Sequence, residues 1–261
     1  MLLQSLVLPQ SRLELASACV FGLLTAVNYG SESGGTSAEY SKFAIETTGA
    51  KTDVHRVSGR VGMLVIYVPA LCLVGALIMA GTASLVNIML AVHFGKRALE
   101  TLFVHRYSGS MPLSTASTIG VYYSLVSAAI ASLPSAAQEH PEATTAGIAL
   151  FAVGQLGNLY HHWLLARLRD KDTKAPSKDD RKRAYKIPQG GLFPLVAMPH
   201  YLFELVAWLG VATTSQHLNA FLVFTSMCSY LAGRAQATSR WNVANIPGYP
   251  AERRSLVPGI F

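Results

Sequence analysis

Charge is scarce in this chain: Asp, Glu, Lys and Arg make up only 13% of its 261 residues, roughly half the share of an ordinary globular domain. A surface so poor in ions is hard to keep in water, and 51% of the residues are hydrophobic, with a mean hydropathy of +0.34. Cysteine is nearly absent. Cys19, Cys72 and Cys228 lie far apart in apolar stretches, which excludes a disulfide scaffold or a zinc-ligand spacing and leaves helix packing as their role. No internal repeat or coiled-coil heptad is present. The net charge is +7, but the basic residues gather in short polar gaps between apolar runs. That pattern suits anionic lipid headgroups or a pocket for an anionic cofactor, and it gives no reason to expect a nucleic-acid partner. The length favours one folded unit, 1–261.

What is abundant is apolar sequence in long runs. Candidate spans lie near 13–29, 61–80, 84–104, 114–133, 143–165, 193–214 and 218–238, each approaching the roughly 20 residues that cross a hydrocarbon core. The first run follows only Arg12 and lacks a signal-peptide cleavage pattern, so a retained span is expected despite Glu14. The fold class is therefore all-α, a polytopic membrane bundle of about seven transmembrane helices. Orientation follows from the basic residues. The segment 167–186 carries nine Lys and Arg against four Asp, whereas 134–142 carries Glu139 and Glu142 and no Lys or Arg. Basic connectors favour the cytosol, which also places 30–60 and the C-terminus there, with the N-terminus on the far side.

Several of these apolar helices carry polar residues that a passive anchor would not need. In the third span His93, Lys96, Arg97 and Glu100 recur at three- and four-residue spacing and share one face. Lipid would penalise that face, so it should look into the bundle, either as an internal ion-pair network or as a ligand wall. In the fifth span Asn158 and His162 stand one turn apart, with Arg169 about two turns on. Amide, imidazole and guanidinium groups on one cavity suit a phosphate-bearing ligand or, equally, interhelical hydrogen bonds; His161 points elsewhere. The string Ile187-Pro188-Gln189-Gly190-Gly191-Leu192-Phe193 reads as a turn before a helix, without the spacing of a dinucleotide fingerprint. Beyond it His200, Glu204 and Trp208 align at four-residue spacing, and Pro199 predicts a kink inside the sixth span. Near the cytosolic end of the seventh, Arg234 and Arg240 precede Trp241 and Tyr249. Arginines there neutralise either ligand phosphates or lipid headgroups, while an indole or phenol packs a planar ring.

In this order the pieces resemble the steroid 5-alpha-reductase superfamily, which includes trans-2-enoyl-CoA reductases. The resemblance rests on the third-span string from His93 to Arg106, on Ile187 to Phe193, on Pro199-His200-Tyr201-Leu202-Phe203-Glu204 and on the ending from Tyr249 to Phe261. It runs from about residue 40 onward and is strongest over 85–261. It implies a seven-helix reductase of the endoplasmic reticulum or an equivalent internal membrane, with NADPH enclosed by the cytosolic half of the bundle. Asn158, Arg169, His200, Glu204, Arg234 and Arg240 fall where family members hold the cofactor. His162, Tyr201 and Trp241 complete the expected cofactor set; His162 stands where some relatives carry an acid.

The departures bear on substrate. Steroid reductases carry a Gln-Glu pair before a proline in the second span, where this chain has Ile66 and Tyr67 before Val68-Pro69; Phe94 replaces a substrate-binding tyrosine. The resemblance thus implies hydride transfer from NADPH to the β-carbon of a conjugated carbonyl. Tyr67 is the candidate donor to the carbonyl oxygen, and His93 an alternative donor or proton source. A lipophilic enone such as a 3-oxo-4-ene steroid, an enoyl-CoA of fatty acid elongation, and retained cofactor binding without catalysis are the alternatives this sequence leaves open.

Overall fold

Four of the seven described helices begin at a side chain that accepts from a free N–H group, and two begin at a proline, which has none to satisfy. The computed structural model describes residues 6–34, 55–107, 109–134, 140–169 and 185–261. Most of the charged stretch 167–186 and of the connectors 30–60 and 134–142, which carry the orientation argument, lies outside the described residues. Ser11 caps α1 (Arg12–Ser33) by accepting from Glu14 N, while Glu14 accepts from Gln10 N at 2.7 Å, a reciprocal capping box. Ser58 caps α2 (Gly59–Met79) and Ser84 caps α3 (Leu85–Leu99) in the same way. A single π-helical turn, Glu100–Val104, extends α3. There follow α4 (Leu113–Ala131), α5 (Pro141–Arg167), α6 (Pro199–Ser215) and α7 (Leu218–Asn245). The strands β1 (Arg56–Ser58) and β2 (Ser110–Pro112) pair antiparallel, Val57 opposite Met111, and tie the start of α2 to the start of α4.

Among the described residues seven helices lie near the seven expected runs, but only three of them are long and apolar enough to cross a membrane, and the sixth differs at its start. Pro199 does not kink it. The helix begins at Pro199 itself, in the first turn, where a proline costs no hydrogen bond. Residues 187–198 form irregular backbone, with Gly190 and Gly191 both at positive φ. A Cβ on Gly191 would meet the His161 imidazole at 2.4 Å. His161 Nδ1 lies 2.7 Å from Gly157 O and its Nε2 accepts from Leu192 N at 3.1 Å, so this histidine pins the turn.

Three packed groups build the bundle: α1 on α7, α5 on α6, and α2 on α3 and α4. The α5–α6 contact depends on small residues, since a Cβ on Gly154 would lie 2.3 Å from Ala207 N and one on Gly210 2.5 Å from Phe151 N. Pro69 inside α2 cannot donate to Val65 O, and α4 approaches that carbonyl through Gly120, whose added Cβ would sit 2.5 Å from it.

Large apolar side chains stand on the outside of the described residues as well as in an apolar core, while several ionisable side chains are buried. Leu13, Leu23, Met79, Phe103, Val121, Leu125 and Leu156 are exposed, while Glu32, His93, Arg97, Glu100, Asn158 and Arg234 are buried. Lipid as solvent explains that partition. By length and hydropathy, α1, α2 and α4 qualify as membrane spans among the described residues. Of the other four, α3 and α6 are shorter, at 15 and 17 residues, and all four carry buried polar side chains that lower their apolar content.

Candidate active site

The third-span face predicted to look inward does so. Glu100 is 1% exposed and is the acceptor at the centre of a buried network. Lys96 Nζ donates to its Oε1 at 3.1 Å and Arg97 to its Oε2 at 2.5 Å, the i−4 and i−3 neighbours on one helical face. From α5, His162 Nδ1 lies 3.3 Å from the same carboxylate and 3.0 Å from the Arg97 guanidinium. Arg97 also donates to Tyr67 Oη on α2 at 2.6 Å. The π-helical turn starts at Glu100, and π-turns recur at functional sites in helices.

A second branch runs through α6. Lys96 donates to Asn158 Oδ1 at 2.5 Å, and Asn158 Nδ2 donates to Glu204 Oε2 at 3.0 Å and to His200 O at 2.9 Å. Glu204 Oε1 in turn lies 3.3 Å from His93 Nε2. The Gln155 amide, one turn before Asn158, sits 2.9 Å from His93 Nδ1. Four helices therefore contribute to one continuous network, from Tyr67 through Arg97, Glu100, Lys96, Asn158 and Glu204 to His93. It balances two permanent cations against two carboxylates, as a low-dielectric interior requires. Aromatic rings wall it: Trp208 and Phe94 lie 5.2 and 5.0 Å from His93, and His105 lies 4.7 Å from His162. Just past the span, burial holds His105 well below the ordinary imidazole range, so it is neutral.

The structure brings together Tyr67, His93, Asn158, His162, His200 and Glu204 of the expected site, with the Tyr201 ring 4.5 Å from His200. It places the others apart from this network. Arg169 stands just past the C-terminal end of α5, where it and Arg106 each donate to the other's backbone carbonyl. Arg234 bonds Glu32 at 3.1 Å and Arg240 reaches Ser33 O at 3.2 Å, so both arginines contact α1. Trp241 packs with Tyr185, Ile187, Ile246 and Tyr249 in a separate apolar cluster. Gln155 and Glu32 escaped the sequence reasoning. Gln155 was findable, since it lies three residues before Asn158 and seven before His162 on one face. Glu32 was not, because its partner Arg234 is 202 residues away.

Glu100, His105 and His162 offer three ligand atoms within 4.8 Å of one another, a spacing open to a metal ion. Arg97 already places a cation 2.5 Å from Glu100 Oε2 and 3.0 Å from His162 Nδ1, and Lys96 adds another. A metal ion in that spot would be a third cation and would meet strong repulsion.

Several polar atoms around the network lack a partner: His200 Nδ1, Trp208 Nε1, Gln155 Oε1 and Arg97 Nε are buried and unbonded. Buried polar groups rarely stay so. Together they offer donors and an acceptor to a polar ligand, and a carboxamide such as that of a nicotinamide has the complementary groups. No pocket opens among these atoms in the described residues, so the enclosed cofactor cavity expected there is not seen; the pocket found lies at the start of α5, lined by Pro141, Glu142, Thr145, Ala146 and Ala149.

A helical bundle with exposed apolar walls, three helices long and apolar enough to span a membrane, and a multi-helix ionic network in its interior is consistent with a membrane protein. The family model for 3-oxo-5-alpha-steroid 4-dehydrogenase matches residues 110–261, more than half of the chain, and the chain belongs to that family. Among curated proteins it is 30% identical over 182 residues to human 3-oxo-5-alpha-steroid 4-dehydrogenase 1, covering 66% of each chain. It is 31% identical over 180 residues to the probable very-long-chain enoyl-CoA reductase art-1 of Caenorhabditis elegans, covering 64% of this chain and 55% of that one. It is 33% identical over 117 residues to the steroid 5-alpha-reductase DET2 of Gossypium hirsutum, covering 44% and 42%. The chain thus spans from under half to about two thirds of the length of these relatives.

Proposed function

We propose that this chain is a membrane oxidoreductase acting on a CH–CH group, which uses NADPH to reduce the carbon–carbon double bond of a lipophilic enone such as a 3-oxo-4-ene steroid. Family membership supports the reaction class. The single observation that carries the residue assignment is the buried network running from Tyr67 to His93 through four helices, with unsatisfied polar atoms along it. On this reading all seven helices lie in the membrane, that of the endoplasmic reticulum or an equivalent, with the C-terminus in the cytosol. The aromatic pair Tyr160 and Trp163, with Arg167 over the Trp163 ring at 4.7 Å, suits a cytosolic interface.

Bound NADPH would supply the hydride. Asn158, His162, His200 and Glu204, with Trp208 beside them, are the groups placed to hold and orient its nicotinamide end. Tyr201 belongs to their outer wall. Arg169, Arg234, Arg240 and Trp241 are proposed for the phosphates and adenine. Tyr67 is the residue whose hydroxyl meets the substrate carbonyl oxygen. As the β-carbon gains hydride that oxygen becomes enolate-like and far more basic, so a fixed donor stabilises the transition state more than the ground state. His93 is already engaged by Gln155 and Glu204, which suits it to holding Glu204 and, secondarily, to relaying a proton.

An enoyl-thioester substrate is the second reading. The third-helix string supports it, as does the meeting of Arg106 with Arg169 at the exposed cytosolic end, where a phosphate-bearing carrier such as coenzyme A would arrive. Anaerobic NADPH oxidation by the purified protein against 3-oxo-4-ene steroids, enoyl-CoAs and polyprenals separates the two. NADPH binding without oxidation by any member of the panel would instead mark a non-catalytic homologue. Tyr67→Phe is expected to lower turnover about a hundredfold with folding intact; full turnover in that variant removes Tyr67 from the reaction.

A further inference from the structure

The sequence left Lys96 and Arg97 without distinct roles, and the structure separates them. Lys96 turns toward Asn158 and Glu100. Arg97 turns the other way, and one of its nitrogens donates to Tyr67 Oη at 2.6 Å while its guanidinium carbon stands 4.8 Å from the Tyr67 ring centroid. We propose that Arg97 is a positioning residue for the reduction, fixing the Tyr67 phenol so that its O–H hydrogen is presented to the substrate oxygen. This rests on the reductase reading above.

The chemistry of the two groups makes the arrangement directional. A guanidinium has donors only, so it must occupy a lone pair of the phenol oxygen, and the phenol hydrogen is left for another acceptor. Without Arg97 the hydroxyl could rotate and donate its hydrogen inward to Glu100 or His162. The guanidinium is itself held from its own helix and from one further helix. Its other terminal nitrogen is 2.5 Å from Glu100 Oε2 on α3 and 3.0 Å from His162 Nδ1 on α5. The cation therefore cannot follow the phenol, and the phenol must conform to it. A hydroxyl whose oxygen accepts from a fixed cation is also the stronger donor, because linked hydrogen bonds polarise one another in a low-dielectric site. Pairing with Glu100 alone would keep Arg97 buried and neutralised; the bond to Tyr67 is additional to that need.

The test uses the full chain in lipid nanodiscs with tyrosine labelled at 13Cζ, the Tyr67 resonance being identified by its loss in Tyr67→Phe. Arg97→Met is expected to shift that resonance beyond its linewidth. Lys96→Met removes the neighbouring cation, which does not touch Tyr67, and is expected to leave it in place. Arg97→Lys keeps the charge but loses the fork; it is expected to shift the resonance too, and it serves if the Met variant fails to fold. No shift in either Arg97 variant, or an equal shift in Lys96→Met, overturns the proposal. In turnover, Arg97→Met and Tyr67→Phe are each expected to lower kcat about a hundredfold with little change in the KM for NADPH. Combined, they should lower it no further than the larger single loss. Losses that multiply, or a rise confined to KM, overturn it. Absence of turnover with every substrate class sinks the reductase reading and with it the catalytic purpose, whereas the resonance reports the Arg97–Tyr67 contact independently.

Discussion

Two buried ionic arrangements hold this bundle together, and they are built differently. Between α1 and α7 a single carboxylate, Glu32, meets Arg234 at 3.1 Å, with Tyr29 Oη donating to Gln236 at 2.9 Å and Arg240 reaching Ser33 O nearby. Among α2, α3, α5 and α6 the carboxylates Glu100 and Glu204 are shared by Lys96, Arg97, His93, His162 and Asn158, and several buried polar atoms are left over. Desolvation is costly in both places. The described contacts of the first tie two helices together. A branched network with spare donors and acceptors joins four and still has capacity for a ligand. The difference teaches that burial of charge alone does not mark a site; unspent hydrogen-bonding capacity beside the charge does.

The comparison can be broken by removing the shared carboxylate. Glu100→Leu strands Lys96 and Arg97 in the interior and is expected to cost about 3–5 kcal/mol, read as a fall in melting temperature or in folded yield from detergent; little change would show that the network is solvated and not structural. Glu32→Leu is expected to cost somewhat less, about 3 kcal/mol, and Glu32→Leu with Arg234→Met should recover most of it, because replacing both members of a buried ion pair by packed apolar groups is often close to neutral. Failure of the double variant to recover would make the α1–α7 arrangement a network like the other. Gly154→Leu drives a side chain into Ala207 across the α5–α6 seam and should cost about 1–3 kcal/mol, seen as lower thermal stability; no loss would mean that the seam is loose. The smallest effect is expected for His161→Ala, which frees Leu192 N–H and loosens the glycine turn, about 1 kcal/mol; proteolysis rates between residues 187 and 198 would report it.

How much of this was legible beforehand differs between helices and partners. Helix positions were readable because hydrophobic run length and Ser caps are local properties of the chain, and the observed helices begin and end within a few residues of most expected spans. The exceptions are physical. Pro199 was expected to kink a helix, but with Gly190 and Gly191 upstream the helix starts at the proline instead. The seventh helix runs past its apolar stretch to Asn245, because Trp241 and Ile246 find an apolar cluster of their own beyond it. On α3 the spacing of His93, Lys96, Arg97 and Glu100 was enough to put them on one face. The matching face of α5 was half seen: Asn158 and His162 were recognised, while Gln155 was not, since a lone glutamine in an apolar run carries little signal until its partner His93 is known.

The sequence by itself determined that this is an all-helical chain for an apolar solvent, with ionisable side chains on particular faces of particular helices and the signature strings of a reductase family. Those are consequences of periodicity, run length and local spacing, which do not depend on which helix lies beside which. Only the tertiary structure decided that Arg97 turns to Tyr67 while Lys96 turns to Asn158, and that Arg234 closes on Glu32. A charge's burial can be read from one helix, but its partner is set by which distant helix packs against it.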